Sequence, residues 1–524
     1  MPTPVGPPSV TQSEALRKSE TQKDIKSATS NGTTHESLST LEVDVVHDSA
    51  SKELPKHLQD RRFVLVIPAT SPNTDMCKTV ATALALGYPS PVIINWGVDH
   101  RPITKWKGGA NLPKIPGFVQ YLDAAMHPEA HSSEKLKEND LVLMVDAYDV
   151  WFQLPAEVLV QRYHNINAEA NERLRQQWPT EGYMPMRQTI VAGSGKNCHP
   201  RDPKSGSNLR CDIWPESPLR ADLYGPETEK NETLYRNHRP RYINGGLYMG
   251  PAGDMRRLFR RAQQKMEAGI NKGIHMYSEQ GIPGEVFAEQ ETWRQLLRKS
   301  NLPLGDATRL VNRDFEYHFG LDYAQGISAQ TFWTDLNATQ DLFDGQFVKL
   351  HNQANIDAHS KALGIAPVRL QGVPSDVLSQ HKPLLDLGLN ANWGNLSLYA
   401  DFFLESVPAI LHHNGFKARR KLWWHKPWFQ PYLRKLLALR MRTDTEAAPL
   451  ATAQTAYGTI KYWAPLAEKG SREPRRMDPT SPVGIPLAKM RIHDVCHDPE
   501  EKVKYKGREW WDEVFRDGHG PFVL

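Results

Sequence analysis

The chain has 524 residues, of which 64 are basic and 60 are acidic, for a net charge of +4. This length exceeds one ordinary core but suits a large α/β domain with extensions. Proteins that bind nucleic acid usually carry a clustered excess of positive charge, which this nearly balanced composition does not indicate. We therefore expect no nucleic-acid partner. The four cysteines form no C-x-x-C pair, which argues against a zinc ribbon.

Residues 1–58 are rich in Ser, Thr, Lys and Glu and hold no apolar run, which predicts a disordered tail. The sequence shows no signal peptide and no segment of the ~18 apolar residues that a membrane span requires. Four N-x-S/T sequons nevertheless favour a secreted chain; they begin at Asn31, Asn231, Asn337 and Asn395. Cys198 and Cys211 lie in one polar loop and could pair in an oxidising compartment, although free thiols in a reduced cytosol fit their spacing equally well.

From Arg62 onwards the pattern alternates strands and helices. FVLVIPAT at 63–70 predicts a buried strand and a loop, residues 75–86 a helix that ends at Gly87, and SPVIINWG a second strand. PKIPGFVQYLDAAM predicts a second helix and LVLMV a third strand. This order predicts an open α/β sheet, in which ligands bind at the carboxyl ends of the strands.

Later strands are predicted within 320–336 and 346–353, and the pattern weakens after Trp428. We therefore predict three parts: a disordered tail at 1–58, an α/β domain at 59–430, and a peripheral, partly ordered extension at 431–524.

The third predicted strand runs directly into Asp-Ala-Tyr-Asp at 146–149. Two carboxylates that converge repel each other unless a cation neutralises them, so Asp146 and Asp149 predict a Mn²⁺ or Mg²⁺ site that could bridge a diphosphate. Tyr148, between them, could stack on a base or a sugar. The alternative is structural, with Asp149 capping a helix and Asp146 accepting backbone N–H bonds.

LVLMVDAYDVWFQLPAEVLVQRY resembles the third-strand region of the glycosyltransferase domain in procollagen lysyl hydroxylases, and is more loosely similar to the collagen galactosyltransferases. Those enzymes have the GT-A fold, a Rossmann-like fold of nucleotide-diphospho-sugar transferases, and use a UDP-sugar and Mn²⁺. Further segments occur in the family's order, and together they span about residues 62–425. The resemblance implies a GT-A domain.

Each of these segments aligns with a family motif. VIPATSPN at 66–73 resembles the nucleotide loop after the first strand, and WKGG at 106–109 a Gly-rich stretch before the second helix. RYINGGLYMGPAGDM resembles an LNSGGFIG segment, FAEQETW a DDQ segment, and PAILHHNGFKARR a closing HGNG segment. The resemblance implies these nucleotide-binding residues: Ala69, Thr70, Lys107, Gly108, Tyr148, Gly245, Gly246 and Gly415.

Two residues are candidates for contact with the reacting groups. In INGGLYMG the glycines let the backbone approach a ligand and Asn244 can bind hydroxyls, although a β-bulge or turn would use the same residues. In AEQETW, Glu289 and Gln290 are predicted to open a helix. Glu289 stands where the family has an aspartate that handles the sugar or the acceptor; a first-turn glutamate can also merely complement the helix dipole.

The closing segment supplies a third metal-ligand candidate. The family's metal-ligating histidine corresponds to His412, whereas His413 replaces a family glycine. If the chain closes as a GT-A domain, His412 points at Asp149 and His413 faces away, because successive side chains alternate along an extended segment. The alternative packs His412 against the aromatic run Trp423, Trp424, Trp428 and Phe429, which we interpret as a hydrophobic seam rather than a glycan platform.

Together these features predict a metal-dependent glycosyltransferase. It would move glucose or galactose from UDP-glucose or UDP-galactose to a hydroxyl of an unidentified glycan or protein. The alternative is a GT-A protein that has lost turnover and binds glycans or serves as a scaffold. We expect a location in the lumen of the endoplasmic reticulum or Golgi. Since this chain shows no signal or anchor, that location implies an incomplete N-terminus or another route of membrane attachment.

Overall fold

A mixed β-sheet lies at the centre of the molecule. The computed structural model describes residues 59–98, 109–178, 184–201, 203–300, 314–415, 418–442, 447–470, 472–498 and 507–524, and these residues belong to one compact unit. Among them, ten strands form the main sheet. Its first three strands in the chain, β1 (Asp60–Pro68), β2 (Val92–Ile94) and β3 (Leu141–Val145), are parallel neighbours in the order β2–β1–β3. Their carboxyl ends therefore meet at one edge of the sheet.

The sheet continues on both sides of this parallel core. β6 (Tyr242–Pro251) is antiparallel to both β3 and β5 (Ile190–Gly195), and β7 (Phe319–Asp322) is parallel to β5. On the other side, β16 (Arg475–Arg476) pairs with β2, and β17 (Ala488–Lys489) forms the edge. β15 (Gly458–Trp463) extends the start of β1 and pairs with β14 (Ala451–Thr455).

Helices cover both faces of the sheet because the strand side chains alternate. Phe63, Leu65 and Ile67 enter one hydrophobic core with α1 (Thr74–Ala85) and α3 (Ala156–Gln176). Val64 and Val66 enter a second core. The helices of that core are α2 (Lys114–Ala125), α4 (Ala252–Asn271) and α5 (Gly281–Ser300). The remaining helices are α6 (Gln353–Ala362), α7 (Ser375–Leu378), α8 (Ala418–Trp423), α9 (Leu433–Arg442), α10 (Ile492–Cys496) and α11 (Trp510–Val514).

A smaller sheet stands beyond the carboxyl end of β3. In it β13 (Ile410–His412) lies between β4 (Val150–Phe152), to which it is antiparallel, and β8 (Ser328–Gln330), to which it is parallel. His412 pairs with both Val150 and Gln330. Two short pairs complete the strands, β9 (Asp335–Asn337) with β10 (Leu342–Phe343) and β11 (Gly345–Lys349) with β12 (Ser397–Asp401).

The predicted first five elements are all present, and the mixed α/β class, compatible with a Rossmann-like fold, is confirmed. The boundary at residue 430 stays a prediction, although the segment after it contributes four strands to the main sheet. Cys198 and Cys211 form a disulfide, and Cys77 pairs with Cys496, a pairing that the sequence did not indicate. None of the helices in the described ranges has both the length and the apolar character to cross a bilayer.

Candidate metal centre

The loops after β1 and β3 meet at the carboxyl edge of the sheet, as the parallel strands require. The Ala69 N–H donates to the Ile94 carbonyl at 3.0 Å, and Thr70 accepts from the Gly97 N–H at 2.9 Å and is exposed. The Tyr148 hydroxyl donates to the Ser71 carbonyl at 3.2 Å. The predicted nucleotide loop and the Asp-Ala-Tyr-Asp loop therefore lie side by side, and we call the space between them the cleft.

Asp146, Asp149 and His412 come together in this cleft. His412 Nε2 lies 3.6 Å from Asp146 Oδ2 and 3.4 Å from Asp149 Oδ1. One potential ligand atom from each of the three residues lies within 4.8 Å of the other two. Residues more than 260 positions apart in the chain thus converge because β13 pairs with β4, which follows Asp149 directly.

A hydrogen bond fixes the tautomer of His412. Its Nδ1 lies 2.7 Å from the Gln330 side-chain carbonyl oxygen, which can only accept, so Nδ1 carries the proton. Gln330 is itself oriented, since its amide nitrogen lies 3.4 Å from the Ser328 carbonyl. His412 is 3 % exposed, and its Nε2 makes no hydrogen bond of normal geometry with any described residue. In the neutral ring, a buried lone pair on Nε2 faces two carboxylates, an arrangement that favours a positive charge at this point. Without a metal ion a second proton supplies that charge: burial alone would lower the pKa of His412, but Asp149 and Asp146 outweigh it and raise the pKa.

The glycines of INGGLYMG form a β-bulge that holds His412 in place. Ala192 pairs with Tyr248, but the next residue of β5, Gly193, pairs with Asn244, so the segment between them bulges out. The Asn244 side chain accepts the Gly246 N–H at 3.0 Å, and the Gly246 carbonyl accepts the Asp146 N–H at 3.0 Å. A side-chain carbon at Gly246 would overlap the imidazole of His412. The β-bulge that the sequence offered as the alternative is therefore present, and it packs against His412 and Asp146.

Two further residues of the cleft were missed by sequence reasoning, Lys114 and Glu279. Lys114 Nζ lies 2.6 Å from Asp146 Oδ1 and 2.8 Å from Glu279 Oε1, and all three side chains are largely buried. Burial alone would lower the pKa of Lys114, but Asp146 and Glu279 outweigh it and raise the pKa. A signal did exist: a lysine in the first turn of a helix opposes the helix dipole and implies a nearby acid.

The prediction that Glu289 opens a helix is wrong. α5 begins at Gly281, so Glu289 lies in its interior. The Glu289 carboxylate is held by Arg261 at 2.8 Å and Lys265 at 2.7 Å, both on α4. The chain contains a second Glu-Gln pair, at 279–280, just before the helix. There Glu279 binds Lys114, and the Gln280 side chain accepts the Gly245 N–H at 2.9 Å.

Arg420 adds a second cation beside the aspartates. Arg420 Nη1 lies 3.1 Å from Asp75 Oδ2 and also donates to the Tyr148 carbonyl. Burial alone would raise the pKa of Asp149, but His412 and then Arg420 outweigh it and hold that pKa below its ordinary value. For Asp146, burial dominates and raises the pKa despite Lys114. The two aspartates are therefore electrostatically distinct.

His413 faces away from the cluster, as predicted. Its ring centroid lies 4.0 Å from that of Trp151 and 6.1 Å from that of Trp423. The aromatic run is a buried seam: Trp424 donates its indole N–H to the Val514 carbonyl of α11, and Trp428 donates to Gln153. The structural interpretation of this run is therefore confirmed.

Three predicted site residues remain, and of these the structure describes Gly415. Gly415 packs against the backbone of Thr331 and Phe332, next to the strand that carries His412, and a side-chain carbon there would fall 2.9 Å from the Thr331 oxygen. Lys107 and Gly108 lie outside the described residues.

The donor set fits a hard divalent cation. Ligands that each bind one ion at about 2.0–2.4 Å lie at most about 4–5 Å apart, as these atoms do. Two carboxylate oxygens and an imidazole nitrogen suit Mn²⁺, or Mg²⁺ with less reliance on the nitrogen. The proton on Nδ1 leaves Nε2 free to act as a ligand.

No protein-family model matches the chain, and a search of curated proteins finds no match either.

Proposed function

We propose that the protein is a GT-A glycosyltransferase, similar to the glycosyltransferase domain of procollagen lysyl hydroxylases. It would move glucose or galactose from a UDP-sugar to an acceptor hydroxyl with the help of Mn²⁺ or Mg²⁺. The observation that carries the proposal is the buried Nε2 of His412, which faces Asp146 and Asp149 and makes no acceptable hydrogen bond with the described residues. Without an ion, a second proton on His412 balances part of the charge of the two aspartates, and a divalent cation held by all three side chains would take the place of that proton.

The charges of the cleft support a diphosphate substrate. The carboxylates of Asp146, Asp149 and Glu279 face the cations of Lys114 and Arg420. Arg420 is also paired with Asp75, so before any ion binds the four acids outnumber the two bases by two, and the cleft would repel a diphosphate. One divalent ion removes that excess of negative charge. Donor binding should therefore require the metal.

Each residue of the cleft has a role in this proposal. Asp146, Asp149 and His412 would hold the ion, which when bound neutralises the diphosphate and the developing charge of the UDP leaving group. Tyr148 lies beside the loop of Ala69 and Thr70, where it can stack on the nucleoside. Gly246 leaves room for the His412 ring, and Gly245 is held by Gln280.

The carboxylate that would handle the sugar or acceptor is Glu279. Its Oε1 is bound to Lys114, and its Oε2 lies 3.4 Å from the Ser278 hydroxyl. Lys114 thereby fixes Glu279 relative to Asp146 while Oε2 remains able to accept a hydrogen bond from a hydroxyl. Glu289, bound to Arg261 and Lys265, has no comparable position.

A luminal location in the secretory pathway is part of the proposal. Its support is the two disulfides, Cys77–Cys496 and Cys198–Cys211, since disulfides persist in oxidising compartments. Protein isolated from its own cells should carry both bonds after non-reducing digestion. Free thiols at all four cysteines would contradict this location.

UDP release tests the activity. Purified protein is incubated with UDP-glucose or UDP-galactose and Mn²⁺, with and without EDTA, and Asp149→Asn serves as the matched variant because it keeps the side-chain shape but removes a ligand charge. We expect metal-dependent release that falls more than about a hundredfold in the variant, beyond the 10–100-fold cost of losing an outer-shell partner, with unchanged thermal stability. UDP binding without release would favour the inactive alternative, and full activity in the variant would reject the metal centre.

A further inference from the structure

We propose that an aromatic strip next to the metal centre binds an uncharged sugar ring of the acceptor; this assignment of the acceptor class rests on the proposed function. The aromatic strip consists of Phe332, Trp333 and Tyr235. The ring centroids of Phe332 and Trp333 are 4.5 Å apart, and those of Trp333 and Tyr235 are 5.3 Å apart. Phe332 is 42 % exposed, and the other two are half-buried. The strip thus lies at the surface, unlike the buried tryptophan seam.

The strip begins where the metal centre ends. The Thr331 N–H donates to the His412 carbonyl at 3.1 Å, and the Phe332 N–H donates to the Asn414 side chain at 3.1 Å. Gly415 packs directly on Phe332. Because Gln330, only two residues before Phe332, holds the His412 ring, a ligand stacked on the strip would extend from the edge of the metal centre.

The backbone at Trp333 is strained and externally anchored. Its φ is +60°, a conformation that bulky L residues rarely adopt. The Trp333 carbonyl accepts from Lys196 Nζ at 3.2 Å, and the same Nζ binds Asp344 at 2.7 Å. Strain of this kind persists where surrounding contacts impose it, and it concentrates at functional sites. Here the indole lies against the rings of Phe332 and Tyr235.

Two cations beside the strip, Lys196 and Arg236, are turned towards the buried Asp344 and are only 3 % and 14 % exposed, so they present little charge at the surface, which favours an uncharged ligand. Asp344 binds Lys196 at 2.7 Å through one oxygen and Arg236 at 2.6 Å through the other. The surface beside them consists of the aromatic side chains of Phe332, Trp333 and Tyr235. A sugar ring matches this surface because it has an apolar C–H face for stacking and hydroxyls around its rim.

Direct binding of oligosaccharides tests the proposal without relying on turnover. The full chain is titrated in EDTA with neutral glucose and galactose tetrasaccharides, and contact is followed by saturation-transfer NMR. We expect binding that weakens about tenfold in Phe332→Ala and in Trp333→Ala, the typical cost of losing one stacking ring. Trp333→Phe, which keeps a ring, should retain most of the affinity. Tyr457→Ala removes a 51 % exposed aromatic from the β14–β15 turn and serves as the control.

Failure of this proposal and failure of the proposed function are distinguishable. Asp149→Asn should keep oligosaccharide binding while it loses UDP release. Sugar binding without any UDP release would leave the strip standing and reject the transferase. UDP release with no binding of the tetrasaccharides, or with equal binding by Phe332→Ala, would overturn the strip. A sugar-free hydroxylysine peptide whose binding alone depends on Phe332 and Trp333 would also overturn the sugar assignment.

Discussion

The dipeptide Glu-Gln occurs at 279–280 and at 289–290, and its two glutamates have different charged neighbours. Glu279 precedes α5 and shares the single cation Lys114 with Asp146 in a largely buried cleft. Glu289 lies within α5 and is bound by two cations of α4, Arg261 and Lys265. Glu289 is half-buried and is held by two cations, which favours a structural role, whereas Glu279 shares its single cation and retains capacity for a ligand. Local charge balance thus separates the site from the scaffold.

Substitution of the two glutamates tests this comparison directly and has the largest expected effect. Glu279→Gln should lower metal-dependent UDP transfer about a hundredfold, a typical contribution of a positioned carboxylate. The matched Glu289→Gln should change transfer less than about twofold and lower the free energy of unfolding by about 1–2 kcal/mol, since its ion pairs with Arg261 and Lys265 are half-buried. Both are measured as UDP release and by chemical denaturation.

A second outcome would reverse the assignment. If Glu289→Gln abolishes transfer while Glu279→Gln does not, the family motif lies where the sequence placed it, and the ion pairs of Glu289 must open when substrate binds. Unchanged stability of both variants would be required for that conclusion.

The next prediction concerns the residue that orients His412. Gln330→Ala removes the acceptor for Nδ1–H, so the ring loses both its tautomer and its orientation. We expect Mn²⁺ affinity, measured by isothermal titration calorimetry, to fall about 10–100-fold. Gln325→Ala is the comparison variant, because Gln325 is a buried amide that also binds the β8 backbone, at 3.1 Å, but does not contact His412. Equal losses in both variants would indicate general disruption of β8.

The sequence predicted the part of the site that local pattern controls. An apolar strand that ends in two aspartates is visible in one short segment, and the resemblance of residues 408–420 to a family's closing motif led to His412. Lys114 gave a local signal by its position in the first turn of α2, but its partners and the role of Glu279 depend on contacts between α2, β3 and the start of α5, which no local pattern reports. The pairing of Cys77 with Cys496, 419 residues apart, is hidden for the same reason.

Asp401, a buried acid away from the metal centre, provides a further test of how local charge balance affects a carboxylate. Asp344 takes both nearby cations, Lys196 and Arg236, whereas Asp401 receives only the N–H groups of Phe403 and Leu404. Burial and then Asp344 raise the pKa of Asp401 to about 7. The folded state therefore binds this proton more tightly than the unfolded state, whose Asp pKa is about 3.9.

The sign of the pH effect follows from that difference. The contribution of Asp401 to stability is fully present below about pH 4 and is lost as the pH rises towards 7. Asp401→Asn keeps an oxygen for the two N–H groups but removes the titration. Between pH 5 and pH 8, the wild type should lose at least about 1 kcal/mol relative to the variant, as followed by thermal unfolding. Parallel pH profiles would contradict the prediction.

The smallest expected effect compares the adjacent histidines, which face opposite environments. His413 lies against Trp151, and neither of its ring nitrogens has a hydrogen-bond partner among the described residues. Burial lowers the pKa of His413 well below its ordinary value, so the ring is neutral. His413→Phe removes two unsatisfied polar atoms but adds volume, and these opposing effects should leave stability within about 1 kcal/mol of the wild type. The backbone bond from its N–H to the Asp149 carbonyl, 2.7 Å, does not depend on the side chain.

Mn²⁺ titration then compares the two positions. His413→Phe should change Mn²⁺ affinity less than about twofold, whereas His412→Phe should lower it more than about tenfold. Loss of a metal ligand should cost at least as much affinity as loss of an outer-shell partner. Denaturation of both variants shows whether packing is retained. If His413→Phe instead loses Mn²⁺ and His412→Phe keeps it, the register of the closing motif is shifted by one residue. The two aspartates would then bind the ion with the other imidazole, and β13 would have to present its opposite face to β3.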